Sequence, residues 1–277
     1  MSSIVITGAT AGIGRAAAIL LASKQHKVFA AGRDKDALAE LNAGYENITA
    51  LEMDVTDADS VSAAAAKVFE ALDGNAPDVL VNNAGYAAVG PLEAVSDDEW
   101  ERQFKTNVLG LVRVTRAFVT GMRERRRGRI VNVSSVAGRV TLPFFGPYNS
   151  TKHAVESISD SLRHELRPHG VEVIVIEPGA VKTRFGSLEQ EQIAHWIENA
   201  PAYAEQLRIL KAFHHDLHGK GADPITVAGS IVAACESHDP TPRSVVPFLP
   251  GSAFIAIKAL LPTRVSDWIV KKLTGLP

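Results

Sequence analysis

Ser2-Ser-Ile-Val-Ile-Thr7-Gly8-Ala-Thr-Ala-Gly12-Ile-Gly14-Arg15-Ala-Ala-Ala-Ile-Leu-Leu-Ala22 opens the chain, and three kinds of local structure succeed one another along it. Ile4, Val5 and Ile6 are β-branched and suit a short strand. Gly8, Gly12 and Gly14 make a turn in which the backbone can come close to a ligand. The alanines and leucines from Arg15 to Ala22 are strong helix formers. A strand, a glycine-rich turn and a helix N-terminus together cradle phosphate, because free N–H groups and the helix dipole meet the anion there. The spacing is Gly-x-x-x-Gly-x-Gly, not the common dinucleotide pattern Gly-x-Gly-x-x-Gly. Glycines also make plain tight turns, so this turn gains its weight from standing at the first strand–helix junction of an alternating chain.

Strand-like and helix-like segments alternate through the rest of the sequence. Apolar or β-branched runs predict strands near 3–7, 27–31, 49–54, 78–82, 129–134, 171–177 and 243–246. Helical periodicity predicts helices near 13–24, 34–42, 59–72, 97–124, 148–166 and 226–237. Continuous apolar runs such as Val79-Leu-Val81 suit strands buried on both faces. Right-handed crossovers would wind these units into an α/β fold, a doubly wound parallel sheet with helices on both faces. The length of 277 residues fits a single domain, 1–277, and 46% hydrophobic content supplies its core. A net charge of −2 gives no general basis for nucleic-acid or anionic-membrane binding. One cysteine, Cys235, excludes an internal disulfide framework and suits a reducing, cytoplasmic setting. It reads as a small buried apolar residue. No basic and apolar leader precedes the first strand.

Tyr148 and Lys152 stand four apart in Pro147-Tyr-Asn-Ser-Thr-Lys152, and Ser135 lies thirteen residues before the tyrosine. Val155, Ile158, Leu162 and Leu166 continue the helical spacing, so phenol and ammonium share a face. A nearby cation favours phenolate, so the tyrosine pKa is expected to fall from about 10. Such a group exchanges protons with an alcohol or carbonyl. Ser135, or Ser134 beside it, is placed to hold the same oxygen, and the offset favours Ser135.

Thr7-Gly-Ala-Thr-Ala-Gly-Ile-Gly14, Asp54-Val55, Asn82-Asn-Ala-Gly85, Asn107, Ile130-Val-Asn-Val-Ser-Ser135, Tyr148-x-x-x-Lys152 and Pro178-Gly-Ala-Val-Lys-Thr183 occur in one order. In this the chain resembles the short-chain dehydrogenase/reductase family, strongly over residues 3 to 185 and by general layout beyond. The resemblance implies a Rossmann-type sheet and a nicotinamide dinucleotide held by Gly8, Gly12, Ile13, Gly14, Asp54, Val55, Asn83, Tyr148, Lys152, Pro178, Gly179, Val181 and Thr183. It implies Tyr148 as acid–base, with Lys152 tuning it. Ser135 would orient the substrate oxygen, and Asn107 would hold a water of a proton relay. Where the second strand ends, an acidic residue would bind the NAD ribose. Here Gly32 stands in that place and Arg33 comes next, which implies NADP(H), since a guanidinium matches a 2′-phosphate. Asp34 reads equally as the N-cap of the next helix, and Ala11 lacks the second basic group some relatives carry. Homodimers or homotetramers are expected from the resemblance alone.

Residues 184–225, with Phe185, Trp196, Tyr203 and Phe213, are expected to form a lid over the substrate. Gly90-Pro-Leu-Glu-Ala94 and Leu142-Pro-Phe-Phe145 are most similar to the 17β-hydroxysteroid and retinol dehydrogenase branch, implying a bulky apolar alcohol or carbonyl substrate. The main alternative is a nucleotide-sensing protein on the same fold. Arg123, Arg125, Arg126, Arg127 and Arg129 read as a solvated helix end. No carboxylate or cysteine pattern accompanies His214, His215 and His218, so no metal site is expected. The segment 252–274 reads as two amphipathic helices broken at Pro262, packed on the domain or a neighbour. Their other reading is a reversible seat on a membrane surface, with Trp268 at the interface.

Overall fold

Ile4 and Ile6 face one side of the first strand and Val5 faces the other, and this alternation builds the two halves of the core. The computed structural model describes residues 1–247, 252, 255 and 258–276. Seven strands form one sheet, β1 (Ser3–Thr7), β2 (Lys27–Gly32), β3 (Ile48–Glu52), β4 (Val79–Asn82), β5 (Gly128–Val133), β6 (Val171–Pro178) and β7 (Arg243–Val246). All pairs are parallel, in the order β3-β2-β1-β4-β5-β6-β7. Ile4 pairs with Val28 on one side and with Val79 on the other, so the order reverses beside β1 and opens a crevice at its carboxyl end.

Helices cover both faces, as parallel strands require. α1 (Gly12–Ser23) lies on one face, and its Leu21 joins Ile4, Ile6, Val227 and Ile231 in one apolar layer. α2 (Lys35–Gly44) is capped by Asp34, whose Oδ1 accepts the Ala37 N–H at 3.1 Å. On the opposite face, α3 (Ala58–Ala71) supplies Val61 and Val68 to the layer built on Val5, Phe29 and Leu80. The expected helix over 97–124 is one rod in three parts: α4 (Asp97–Phe104), a π-helical turn (Lys105–Gly110) and α5 (Leu111–Glu124). A π turn inserts a residue into the ladder and re-aims the side chains on it. α6 (Gly146–Leu166) carries Tyr148 and Lys152, with Pro147 in its first turn.

Residues 184–225, expected as a lid without assigned elements, contain α7 (Arg184–Asn199) and α8 (Ala204–Gly219), packed on each other. α9 (Pro224–Glu236) returns to the sheet and buries Cys235, whose thiol burial pushes up to about 12. The C-terminal helix, α10 (Thr263–Thr274), packs on α8 and leaves Val265, Trp268 and Leu273 exposed. Most of the first half of the 252–274 segment lies outside the described residues. Among the described residues no helix is long and apolar enough to cross a membrane.

The arginine run departs from its expectation. Arg125 donates to the carbonyls of Ala76 and Pro77, and Arg129 donates to those of Ala234, Cys235 and Ser237. Both guanidiniums close helix and loop ends inside the protein, where free carbonyls outnumber donors. Arg127, 75% exposed, is the solvated one of the three.

Candidate active site

The carboxyl edge of the sheet opens into one cavity of about 1260 Å³. The glycine turn forms one end, α7 and α8 roof the other, and Tyr148 lies between them. Gly8 and Gly12 have φ of 65° and 53°, the left-handed region that favours glycine. A Cβ on Gly14 would stand 2.3 Å from the Gly8 carbonyl oxygen, so the turn closes only without one. Thr7 and Asn83 fasten this turn to the next strand. Asn83 Nδ2 donates to the carbonyls of Thr7 and Gly8 at 3.0 and 3.2 Å, and its own N–H donates to Thr7 Oγ1. Thr183 reaches the turn from β6, with its Cγ2 3.4 Å from where a Gly12 Cβ would be.

α1 begins at Ala11 with no side-chain cap and no acidic residue in its first turn. The helices that begin at Asp34, Asp57, Ser96 and Asp223 are each capped by that side chain. The free N–H groups of α1 therefore face the cavity and present a binding site for an anion. At the edge of β2, Gly32 is fixed by packing, since a Cβ there would lie 2.5 Å from Thr10 Cγ2. A side chain at this place would require Thr10 to move. Arg33 next to it is 75% exposed, and its only ion pair among the described residues is a loose one of 3.9 Å to Asp54. Asp54 serves a turn and the cavity at once. Its Oδ1 takes the N–H and hydroxyl of Thr56 at 2.9 and 2.8 Å, while the carboxyl still lines the cavity. Burial works against its charge, but Thr56 and Arg33 outweigh that and hold the carboxyl below its usual range. Val55 packs under Gly110. The donors, the charge and the open glycine surface fit a dinucleotide phosphate chain.

Tyr148, Ser135 and Lys152 meet at the middle of the cavity. Tyr148 and Lys152 are 8% and 7% exposed. The Tyr148 hydroxyl is close enough to Ser135 for the serine to lower its pKa. Ser135 Oγ also accepts the Ala137 N–H at 3.1 Å, which aims it. Ser134 Oγ is buried with no partner among the described residues. Lys152 Nζ donates to the Val133 carbonyl at 2.9 Å and stands 5.8 Å from the Tyr148 ring centre.

The expected fall in the tyrosine pKa is not found. Burial raises it above the usual value, the bond from Ser135 works the other way, and the Glu189 carboxylate raises it further. Burial instead lowers Lys152, to about 8, with Glu156 opposing. In the free protein both groups are thus shifted towards their neutral forms, which is what removal from water does to phenol and ammonium alike, though Lys152 still carries its proton at neutral pH. Asn107 sits on the π turn, which points it inward. Its Oδ1 accepts the Tyr86 N–H, and its Nδ2 donates to the Tyr86 carbonyl and to Thr151 Oγ1. Both amide N–H groups are engaged, so the amide ties the π turn to α6. A water of the relay could be met only by an acceptor of this residue, the second lone pair of Oδ1 or the main-chain carbonyl.

Pro178, Gly179 and Val181 end β6 and line the same space. Pro178 O accepts from Ser135 Oγ at 3.4 Å, and Gly179 N–H donates to the Val246 carbonyl at 2.9 Å. The roof is latched. Trp196 Nε1 donates to the Val89 carbonyl at 2.7 Å, and Gln192 bonds both Ala87 and Val89. Phe185 lies 5.7 Å from the Tyr148 ring, centre to centre. The histidines lie at the surface or in the substrate roof, and two of them meet a carboxylate that the sequence does not point to. His214 is buried and bonds Glu189, a carboxylate from α7, at 2.8 Å, while His218 stacks on His214 and His215 is exposed. The i, i+4 spacing of His214 and His218 is visible in the sequence, but the partner 25 residues away is not.

The sequence model of the short chain dehydrogenase family matches residues 2–194. An NADPH-dependent 3-dehydrocapnine reductase from Ornithobacterium rhinotracheale is 33% identical, over 99% of both chains. A 3-ketodihydrosphingosine reductase from Bacteroides thetaiotaomicron is 30% identical, over 97% of this chain and 96% of that one. Among solved structures, a single-residue variant of actinorhodin polyketide ketoreductase with NADPH superposes with a TM-score of 0.76 at 28% identity, covering 90% of this chain and 97% of that one. A Burkholderia phymatum short chain dehydrogenase/reductase in complex with NAD gives 0.77 at 29% identity, covering 93% and 92%. With its parallel seven-stranded sheet, its glycine turn and this match over most of its length, the chain belongs to the short-chain dehydrogenase/reductase family of oxidoreductases.

Proposed function

We propose that this protein is an NADP(H)-dependent oxidoreductase that interconverts a secondary alcohol and a ketone, or an alcohol and an aldehyde, on a bulky apolar steroid-, retinoid- or lipid-like substrate. The observation that carries this reading is the convergence of Tyr148, Ser135 and Lys152 in one cavity, between an uncapped helix N-terminus and an apolar roof. The exposed Arg33 and the absence of an acidic side chain at Gly32 support a 2′-phosphate over a bare ribose. The NADPH-dependent relative points the same way. Bound there, the nicotinamide supplies a hydride to a carbonyl carbon, or takes one from a carbinol carbon.

The chain's own residues handle the proton. In reduction, the Tyr148 hydroxyl gives its proton to the carbonyl oxygen, and Ser135 Oγ holds that oxygen in reach. In the free protein burial keeps the phenol protonated, so the proton for this step is in place, although the same burial makes the phenol slower to release it. Lys152, near neutrality at about 8, is poised to carry charge when a phenolate forms beside it. Phe185, Leu188 and Leu217 offer apolar surface to the substrate and exclude water. By resemblance, the working form is a homodimer or homotetramer in the cytoplasm. The direct test follows nicotinamide absorbance while steroid, retinoid and long-chain aliphatic ketones are offered with NADPH and NADH. Turnover of at least one apolar ketone, faster with NADPH, is expected. Tight NADPH binding with no turnover across the screen would favour the nucleotide-sensing alternative.

A further inference from the structure

Glu189 is a carboxylate in the roof of the substrate end of the cavity, 4% exposed and without a lysine or arginine ion-pair partner among the described residues. Resting on the functional reading above, we propose that Glu189, held by His214 and flanked by His218, is the receptor for a protonated amine on the substrate, close to the carbon that is oxidised or reduced.

The hydrogen bonds fix the roles. Gln190 Nε2 donates to the Lys211 carbonyl at 3.2 Å and to His214 Nδ1 at 2.7 Å. An amide nitrogen only donates, so His214 Nδ1 accepts and its proton sits on Nε2. That proton goes to Glu189 Oε2 at 2.8 Å. Both nitrogens of His214 are thereby committed, and the carboxylate is oriented rather than neutralised. His218 Nδ1 faces the Val181 carbonyl at 3.3 Å and so donates there. Its Nε2 lone pair, 3.4 Å from Glu189 Oε2, is left as a second acceptor. Gly186 makes room for this ring, since a Cβ there would stand 2.4 Å from His218 Nδ1. Burial lowers the His218 pKa, which keeps the ring a neutral acceptor. Glu189 Oε2 takes the His214 proton, and the carboxyl's other oxygen has no hydrogen bond among the described residues. Glu189 and His218 thus leave two acceptors facing the chamber, and no lysine or arginine is paired with the carboxylate among the described residues.

Three kinds of group could answer. A hydroxyl would satisfy an acceptor but leave the buried charge uncompensated. A metal ion would need the His214 Nε2 lone pair, which becomes free only if the proton moves to Nδ1 and the Gln190 amide turns over to accept it. An ammonium supplies both charge and donors with no rearrangement. Its place along the substrate comes from α7, where Phe185 and Glu189 stand one turn apart: the Phe185 ring lies 5.7 Å from the Tyr148 ring, so carboxylate and phenol border the same part of the chamber. The amine and the reacting carbon are therefore near neighbours in the substrate, with the apolar remainder along Phe185, Leu188 and Leu217. Neutralising Glu189 also removes one cause that holds the phenol protonated, so the amine would favour proton removal during alcohol oxidation.

The test offers wild-type protein and NADP⁺ a long-chain alcohol bearing an amine on the carbon next to the carbinol, and the same alcohol without the amine, at neutral pH. A charge-assisted contact predicts a preference of about 10- to 100-fold in kcat/KM for the amino alcohol. Glu189→Gln is expected to shrink that ratio to within about threefold, with NADPH binding as the control for folding. Calorimetric titration of a long-chain primary amine into the wild-type complex with NADP⁺ gives a second readout that needs no variant. It should bind, and the matching alcohol should bind at least tenfold more weakly. Equal turnover of the two alcohols, or a preference that survives in Glu189→Gln, would overturn the assignment while leaving the oxidoreductase reading intact. Stoichiometric zinc binding that disappears in Glu189→Gln would overturn it in favour of a metal. Turnover of neither alcohol, nor of any ketone in the screen, would fail both.

Discussion

The cofactor end and the substrate end of the cavity are built by opposite means. At the cofactor end the shape is made of backbone: Gly14 lies against the Gly8 carbonyl, Gly32 lies against Thr10, and the first N–H groups of α1 are left free. At the substrate end the shape is made of side chains: Trp196 on Val89, Gln192 on Ala87 and Val89, and Glu189 on His214. A constant ligand can be met by constant backbone, because N–H groups and helix dipoles suit any pyrophosphate. A varying ligand needs groups that a single substitution can change. The contrast predicts that changes at the first end act on nucleotide binding, and changes at the second act on substrate.

The largest break should come from Gly14→Val. Its branched side chain has no room beside Gly8 O and Asn83, so the turn must open. Cofactor affinity is expected to fall by more than about 100-fold, or beyond detection, equivalent to roughly 3 kcal/mol. Fluorescence titration with NADPH measures it, and near-wild-type affinity would show that the backbone does not form the site. Next comes Arg33→Ala. Loss of a charge-assisted contact worth about 1.5–3 kcal/mol should reduce the preference for NADPH over NADH by about 10- to 100-fold. Equal affinities in the wild-type protein would contradict the role given to Arg33. The smallest change expected is at the other end. Trp196→Phe keeps most of the ring but leaves the Val89 carbonyl without its donor, a loss of about 1 kcal/mol. KM for an apolar ketone should rise about fivefold while NADPH affinity stays within about twofold. A matching loss of NADPH affinity would mean that the two ends are not separable.

The same contrast decides what is legible in the sequence. The strands, their order of appearance and the glycine turn are readable because they depend on nearest neighbours: β-branched runs, small residues and helix formers. Tyr148, Lys152 and Ser135 are readable as a pattern of spacing. Their ionisation is not. The fall expected for Tyr148 rests on the neighbouring ammonium and leaves out depth, and 8% exposure outweighs a lysine whose amine bonds Val133. The π turn is hidden because Lys105-Thr-Asn-Val-Leu-Gly110 carries ordinary helical residues, and its bulge is stabilised from outside by Tyr86 and Thr151. The Glu189–His214 pair is hidden for a similar reason. It forms only when α7 and α8 fold against each other, and neither helix signals the other's register. The arginine run misleads because its composition reads as surface, whereas Arg125 and Arg129 end on carbonyls of other segments.

Both ends of the cavity meet at one proton donor, Tyr148. Tyr148→Phe removes only the hydroxyl and preserves the packing of its ring with Phe185. A single acid–base group contributes about 10²–10⁴-fold to rate. The decisive measurement is the turnover of one apolar ketone with NADPH by the purified Tyr148→Phe protein, with NADPH affinity measured on the same sample. Affinity is predicted to stay within about threefold of wild type while turnover drops by about 10²–10⁴-fold. Turnover at the wild-type rate with affinity unchanged would contradict the role of Tyr148 as the proton donor.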